Sequence, residues 1–333
     1  MQYYTQFSLK EYNTFGIDVN AKKFVSVQSL SELKEVLAHQ KEVFLLGGGS
    51  NMLLTKDVDK TVVHLNLKGI TVNHQTEKFV EVTAMAGENW HEFVLWCINQ
   101  NYGGLENLSL IPGNVGTCPI QNIGAYGFEV KDTIVCLEAL NLETLELERF
   151  SNTECEFGYR NSIFKTWAKN KYAIVSVTFR LTTKNHQTNI SYGAIQTQLE
   201  GKLNPTLKEI SNAVIAIRNS KLPNPKEIGN SGSFFKNPVI SVEKFQQLQQ
   251  KYPDVPSYTV SEKLVKVPAG WLIETAGFKG KSFGKAGVHN KQALVLVNYG
   301  TANGMEILNI ATTIQKKIKE LFGVELEIEV NIF

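Results

Sequence analysis

The segment Ile111 to Gly127, IPGNVGTCPIQNIGAYG, sets Gly113, Gly116, Gly124 and Gly127 in a nearly charge-free run. It is too polar for a core strand and too rich in small residues for a helix. Glycine at such intervals removes side-chain bulk, so main-chain N–H groups can face phosphate or carbonyl oxygens. A second candidate loop precedes it. The apolar run Val43–Leu46 empties directly into Gly47-Gly48-Gly49-Ser50-Asn51, the strand-to-turn pattern of phosphate-binding loops. Neither loop follows a standard nucleotide signature. GxGxxG fails at Met52, where the third glycine is required, and Gly280-Lys281-Ser282 resembles a Walker A tail but has Thr275 in place of the earlier glycine. One glycine turn after a strand is as often a tight connection as a ligand loop, whereas two favour the ligand reading.

The elements around these loops are read from periodicity. Lys23–Val27, Val43–Leu46 and Thr61–Leu65 read as short β-branched strands, with Ser29–Gln40 between the first two as an amphipathic helix carrying Leu30, Leu33, Val36 and Leu37. Val80–Ala86, Ile134–Leu140, Leu142–Glu148 and Tyr172–Thr182 read as further strands and Glu88–Asn101 as a helix. Thr206 and Glu209 form a capping box for a helix with Leu207, Ile210, Val214 and Ile217 inward, ending near Lys221-Leu222-Pro223 at a domain boundary. Beyond it a polar helix starts at Ser241 and a strand spans Ala293–Asn298. A longer helix runs from about Asn303 to Phe322, where Gly323 stops it, and a last strand covers Val324–Val330. This order describes an α+β or α/β chain.

With 333 residues, two or three domains are expected. A net charge of +2 with evenly mixed signs argues against nucleic acid or an anionic membrane as partner, so any anion is met locally. The four cysteines lie far apart without a CxxC pair, and the amino terminus lacks a secretion signal, which together suggest a reduced cytoplasmic protein. No apolar run is long enough to span a bilayer. His91 and His289 have no ligand-spaced neighbours, so no metal is expected.

Taken in order, NTFGID (Asn13–Asp18), LLGGGSN, GLENLSLIPGNVGTCPIQNIGAYG, FGYRNSIFK (Phe157–Lys165), SKLPNP, GNSGSFFKNP (Gly229–Pro238) and AGWLIETAG (Ala269–Gly277) resemble the UDP-N-acetylenolpyruvoylglucosamine reductase family, across nearly the whole chain. The resemblance implies a flavoenzyme of peptidoglycan precursor synthesis. Its FAD-binding half would have two subdomains of the vanillyl-alcohol-oxidase type, followed by a third, α+β substrate-binding domain. By that division residues 1–68 with the C-terminal strand 324–333 form the first FAD-binding subdomain, 69–222 the second, and 223–323 the substrate domain. Ile190-Ser191-Tyr192-Gly193 resembles the tyrosine-bearing loop of the family's longer form.

The implied reaction reduces the enolpyruvyl ether of UDP-N-acetylglucosamine enolpyruvate to UDP-N-acetylmuramate, with NADPH reducing FAD first. Negative charge developing beside the substrate carboxylate calls for a fixed cation and a proton donor. The resemblance assigns these roles to Arg160, whose planar fork suits a carboxylate, and to Ser233, assisted by Glu329. Glu329 would be either protonated or bonded to Arg160, and Glu327, two residues away on the same strand face, competes for its role. Tyr192, Lys221 and Asn237 would meet the diphosphate, with Gln292 and Tyr159 also facing substrate. For FAD the resemblance implies Gly47, Gly48, Gly49, Ser50, Asn51, Pro112, Gly113, Gly116, Thr117, Cys118, Gln121, Asn122, Gly124, Ala125, Tyr126 and Ile174. Ser50-Asn51 stands where covalent relatives carry a linking histidine, so the FAD is expected to be non-covalent. A monomer is the default. Considered alone, Glu329 is the solvated face of a strand, Ser233 a turn residue and Phe234-Phe235 core packing. A flavin oxidase of the same fold acting on alcohols is the nearest rival, and a sugar-nucleotide-binding scaffold without catalysis is the rival from another class.

Overall fold

In the computed structural model, which describes residues 1–333, the strand Val58–Leu65 pairs in parallel with both Asn20–Val27 and Val43–Leu46, and Tyr3–Ser8 completes this four-stranded sheet at the edge. The helix Leu30–His39 begins where Ser29 Oγ accepts the Glu32 N–H, an N-cap that contributes about 1 kcal/mol, and it buries Leu33 and Val36 with Val25, Val27, Val63 and Leu65. A second, antiparallel sheet has the order Leu147–Ser151, Ile134–Asn141, Tyr172–Thr182, Phe79–Met85, Ile70–Gln75. The helix Trp90–Asn99 packs Trp90, Phe93, Val94 and Cys97 into the core around it. These elements and the helix Leu207–Lys221 make one compact unit, formed by residues 1–7, 21–48 and 58–220. The capping box expected at Thr206 and Glu209 is present, with Glu209 N–H donating to Thr206 Oγ1 and Thr206 N–H to Glu209.

Residues 8–20, 49–57 and 221–333 make the other unit. Residues 8–20 and 49–57, expected with the first FAD-binding subdomain, thus group with the C-terminal third of the chain. This unit holds a small sheet of Val239–Ser241, Leu264–Lys266 and Tyr258–Thr259 and a hairpin of Ala286–Val288 with Leu296–Asn298. The helix Gly304–Phe322 is capped by Asn303 and Glu306 and ended by Gly323 at φ 62°, and it buries Ile307, Ile310, Ala311, Ile314 and Ile318. Asn331–Ile332 pairs in parallel with Met52–Leu53.

Three expected strands are corrected. Leu142–Glu148 is mostly a turn: Asn141 Oδ1 accepts the N–H groups of Glu143 and Thr144, Leu145 takes φ 58°, and the strand starts only at Leu147. Ala293–Asn298 shortens to Leu296–Asn298. Val324–Val330 alternates in burial as far as Glu327, yet it forms only one bridge, Ile328 to Phe235. Of the strands that went unread, the two longest, Tyr3–Ser8 and Ile70–Gln75, are almost wholly exposed and carry no buried alternation, and the others are only two or three residues long.

Candidate active site

In the first unit the two glycine segments lie against each other. A Cβ on Gly48 would sit 2.8 Å from Gly113 Cα, one on Gly47 2.7 Å from Thr117 Cγ2, and one on Gly116 2.5 Å from Ala86 Cβ. The bulk removed at Gly47 and Gly48 therefore serves loop-on-loop packing, and that at Gly116 packing on Ala86, rather than ligand approach alone. Main-chain donors are divided in the same way. The N–H groups of Val115, Gly116, Thr117 and Cys118 are satisfied by Glu88, Ala86, Asn114 and Val115, whereas none of the hydrogen bonds of the loop pair uses the N–H of Gly48, Gly113 or Asn114. Three unengaged donors on a bulk-free surface, one of them on buried Gly113, fit the phosphate and carbonyl oxygens of a dinucleotide such as FAD.

Other residues of this group act from behind. Asn122 is fully buried at φ 46°, and its side chain is consumed within the protein: Nδ2 donates to Glu129 and to Gly158 O, both at 3.0 Å, and Oδ1 accepts the Lys131 N–H. Cys118 is buried, and desolvation pushes its thiol well above the usual range, so it packs as an inert apolar group. Ile174 is a core residue of its strand. Ala125 pairs with Phe128 in a two-residue ladder. Tyr126, at φ 52°, meets Tyr192 edge-on at 5.2 Å, so the tyrosine-bearing loop touches the end of the glycine segment.

Arg160 stands on a tight turn. Gly158 and Asn161 exchange both main-chain hydrogen bonds, leaving Tyr159 and Arg160 at the tip with Arg160 at φ 52°. That is a position glycine or asparagine normally fills, and an arginine there costs about 1–2 kcal/mol. Its Nη2 donates to Gly124 O at 2.7 Å, and its guanidinium lies 5.4 Å from the Tyr159 ring centroid. The Asn122 bond to Gly158 O secures the same turn from below, so the glycine segment and the arginine share one support.

The second unit holds Ser233 and Glu329. Asn13 closes the turn 13–17 by accepting the Ile17 N–H and donating to Leu9 O and Ile17 O. Gly229 runs so close to Phe15 O that no Cβ would fit, and Asn298 Nδ2 donates to the same carbonyl at 2.8 Å. Ser231 Oγ donates to Met52 O. Between these anchors Ser233 bridges Val295, Phe234 N–H donates to Leu294 O, and Glu329 N–H donates to Phe234 O, each of the two bonds 2.8 Å long. Phe234 and Phe235 are buried, as their core reading expected. Ser233 is half-buried and its hydroxyl makes no hydrogen bond inside the protein. Glu327 is exposed and paired with Lys236, whereas Glu329 is half-buried. Asn51 Nδ2 donates to Glu329 O at 3.5 Å, and Gly49 O accepts the Thr14 N–H.

Of the residues expected to contact the sugar nucleotide, Tyr159 and Tyr192 belong to the first unit and Lys221, Asn237 and Gln292 to the second. Asn237 Oδ1 accepts the Ala269 N–H at 2.9 Å and so caps the helix Ala269–Thr275. Gln292 lies in the loop joining Ala286–Val288 to Leu296–Asn298, and its Oε1 is 3.4 Å from the Leu294 N–H. Lys221 is exposed at the last turn of its helix, and Tyr159 and Tyr192 are 40% and 44% exposed. The structure joins Ser233 to Glu329 and Arg160 to Gly124 and Tyr159. One residue was missed by the sequence reading: Arg218 reaches the start of the glycine segment, donating to Leu110 O at 3.1 Å. Its signal was available, a charge four residues after Val214 on the apolar stripe of a helix.

Comparison with known proteins follows this division. Residues 21–147 match the model of an FAD binding domain, and residues 224–333 match that of the C-terminal domain of UDP-N-acetylenolpyruvoylglucosamine reductase. A UDP-N-acetylenolpyruvoylglucosamine reductase of Flavobacterium johnsoniae is 58% identical over the full length of both chains. Proteins of the same name from Pseudomonas putida, 47% identical over 100% of this chain and 99% of the relative, and from Bacteroides fragilis, 43% over 98% of each, are also similar. The crystal structure of the Thermus caldophilus enzyme, 21% identical, superposes with a TM-score of 0.68 over 100% of this chain and 98% of that one, so the fold is shared. No helix is long and apolar enough to cross a membrane. With identity of this extent over its whole length, the chain belongs to the UDP-N-acetylenolpyruvoylglucosamine reductase family.

Proposed function

We infer that the protein reduces the enolpyruvyl ether of UDP-N-acetylglucosamine enolpyruvate to UDP-N-acetylmuramate, with NADPH as electron donor and non-covalently bound FAD as carrier, in the cytoplasm. The observation that carries the reading, beside family membership, is the Ser233 hydroxyl. It has no partner inside the protein, yet its strand is fixed on both sides, by Val295 and by the Phe234–Glu329 bond. A hydroxyl on a fixed strand, with no bond of its own to break, suits delivery of a proton to substrate.

Gly47, Gly48, Gly49, Ser50, Asn51 and the segment 112–126 would hold FAD, which when bound supplies two-electron hydride chemistry. Arg160, fixed by Gly124 O, would orient the substrate carboxylate and stabilise the negative charge that grows beside it. Ser233 would give its proton to the carbon that becomes the stereocentre, and Glu329 would support the developing enolic acid. The exposed ion pair of Glu327 with Lys236 favours Glu329 over Glu327 for that role. Lys221, Tyr192, Asn237, Gln292 and Tyr159 would bind the sugar nucleotide.

The test is anaerobic. The yellow protein is bleached with NADPH, then UDP-N-acetylglucosamine enolpyruvate is added and flavin absorbance followed. Rapid return of colour is expected. Bleaching without return would move the protein to another electron acceptor, and failure to take up FAD would end the reading of the loops.

A further inference from the structure

We propose that Arg218 is a positioning residue that clamps both ends of the 111–127 segment and thereby sets the geometry in which FAD is bound. The inference rests on the FAD reading given above. From the helix Leu207–Lys221, Arg218 Nε donates to Leu110 O at 3.1 Å, and the charge of the same guanidinium acts on the Tyr126 hydroxyl. Leu110 immediately precedes the segment and Tyr126 stands at its far end. One side chain therefore acts on two points sixteen residues apart in sequence, by a hydrogen bond at the first and by its charge at the second.

Both anchor points need fastening. Leu110 takes φ 60° and Tyr126 φ 52°, backbone conformations that cost free energy for side chains of this size and persist only when their surroundings impose them. At Leu110 the peptide is gripped on both sides, its carbonyl by Arg218 and its N–H by His91 Nδ1 at 2.9 Å. The neighbouring Ser109 meets Ser211 of the same helix, Oγ to Oγ at 2.8 Å. Ser211 and Arg218 are two helical turns apart, so one helix face grips the start of the segment twice.

The charge of Arg218 adds a second argument. None of the ion pairs of the protein involves it, and its neighbours are a carbonyl, a phenol and an imidazole. A largely desolvated cation without a carboxylate is costly unless an anion completes its surroundings. Burial lowers its proton affinity and equally lowers that of His91, which stays neutral and able to accept.

The test measures FAD affinity of the apoprotein by flavin fluorescence, together with amide hydrogen exchange across residues 111–127 without FAD. Arg218→Met is expected to weaken FAD binding roughly ten- to a hundred-fold, the worth of hydrogen bonds to a charged group, and to speed exchange in the segment. Tyr126→Phe, which frees one end, is expected to fall between Arg218→Met and wild type. Ile210→Ala, buried on the same helix, is the control for general destabilisation and should lower the melting temperature while leaving FAD affinity within about twofold. Wild-type affinity in Arg218→Met, or equal loss in Ile210→Ala, would overturn the clamp. So would full recovery in Arg218→Lys, since a point charge cannot hold both ends. If the wild-type apoprotein takes up no FAD, the functional reading fails instead, and the exchange comparison still decides whether Arg218 holds the segment.

Discussion

The two units hold their functional residues by opposite means. All of the non-glycine residues with positive φ, among them Leu110, Asn122, Tyr126 and Arg160, lie in the first unit. In the second, positive φ is confined to glycines such as Gly49, Gly232 and Gly323, and Ser233 and Glu329 sit on extended backbone fixed by cross-strand bonds. The first unit stores local strain and holds it with buried side chains, while the second spends almost none. A site built on strain should be sensitive to its supporting hydrogen bonds, and one built on a ladder should lose function mainly when the reacting side chain itself is changed.

The strongest way to sharpen this contrast is Ser233→Ala. Its strand bonds are main-chain bonds, so stability should hardly change, while reoxidation of the NADPH-reduced protein by substrate slows about 10²–10⁴-fold and the NADPH step is spared. Stopped-flow measurement of both half-reactions decides it, and an unaltered reoxidation rate would remove the role from Ser233. Next, Glu329→Gln should cut turnover by at least about tenfold, whereas Glu327→Gln, losing only an exposed ion pair with Lys236, should shift stability by less than about 1 kcal/mol and leave turnover alone. The reverse ranking in steady-state assays would hand the role to Glu327.

Acidity tests the strained unit. His64 is held below its usual range by burial and by Lys68, and His91 by burial and Arg218 against the opposing pull of Glu92. Both therefore bind protons more readily unfolded. Stability is full above the ordinary histidine value near pH 6.5 and is lost as pH falls below it. His289 of the second unit, lowered by burial and by Lys291, adds in the same direction, so the urea midpoint should be lower at pH 5.5 than at pH 7.5, and a midpoint independent of pH over that interval would contradict the lowered proton affinity of these histidines. The smallest effects form a mirror pair. Leu145→Gly relieves a strained turn of the first unit and should raise stability by up to about 1 kcal/mol, while Gly323→Ala forces strain on the second unit and should lower it by about 1 kcal/mol. Thermal melts that move in the same direction for both would contradict the assignment of strain.

The same contrast explains what could be read beforehand. Helices with caps were legible almost to the residue: Ser29 before Leu30–His39, Thr206 with Glu209, and Asn303 to Gly323. Buried strands such as Tyr172–Thr182 were too, because their apolar runs are long. Exposed edge strands were not, and neither was the turn at Leu145, since no residue type announces a leucine at positive φ. At the site, glycine density pointed to both loops, but not to the fact that Gly47 and Gly48 are needed for the loops to touch. Ser233, Glu329 and Arg160 were reached only through resemblance, as each looks ordinary in its own segment. Arg218 was overlooked because an inward charge on a helix gains meaning only when its acceptor, Leu110 O, 108 residues earlier, is known.

The pairing of Asn331–Ile332 with Met52–Leu53 has a consequence for how the chain is made. Residues 8–20 and 49–57 leave the ribosome early but belong with 221–333, so they must wait for more than a hundred residues after position 220. At cellular rates of synthesis that delay is on the order of ten seconds. Contacts spanning some 280 residues, such as Asn331 with Asn51, also make this unit slow to nucleate. During that interval the nascent protein carries an early-folding part with two unfinished loops, and it is then, rather than in the finished enzyme, that it is most exposed to proteases and most in need of chaperones.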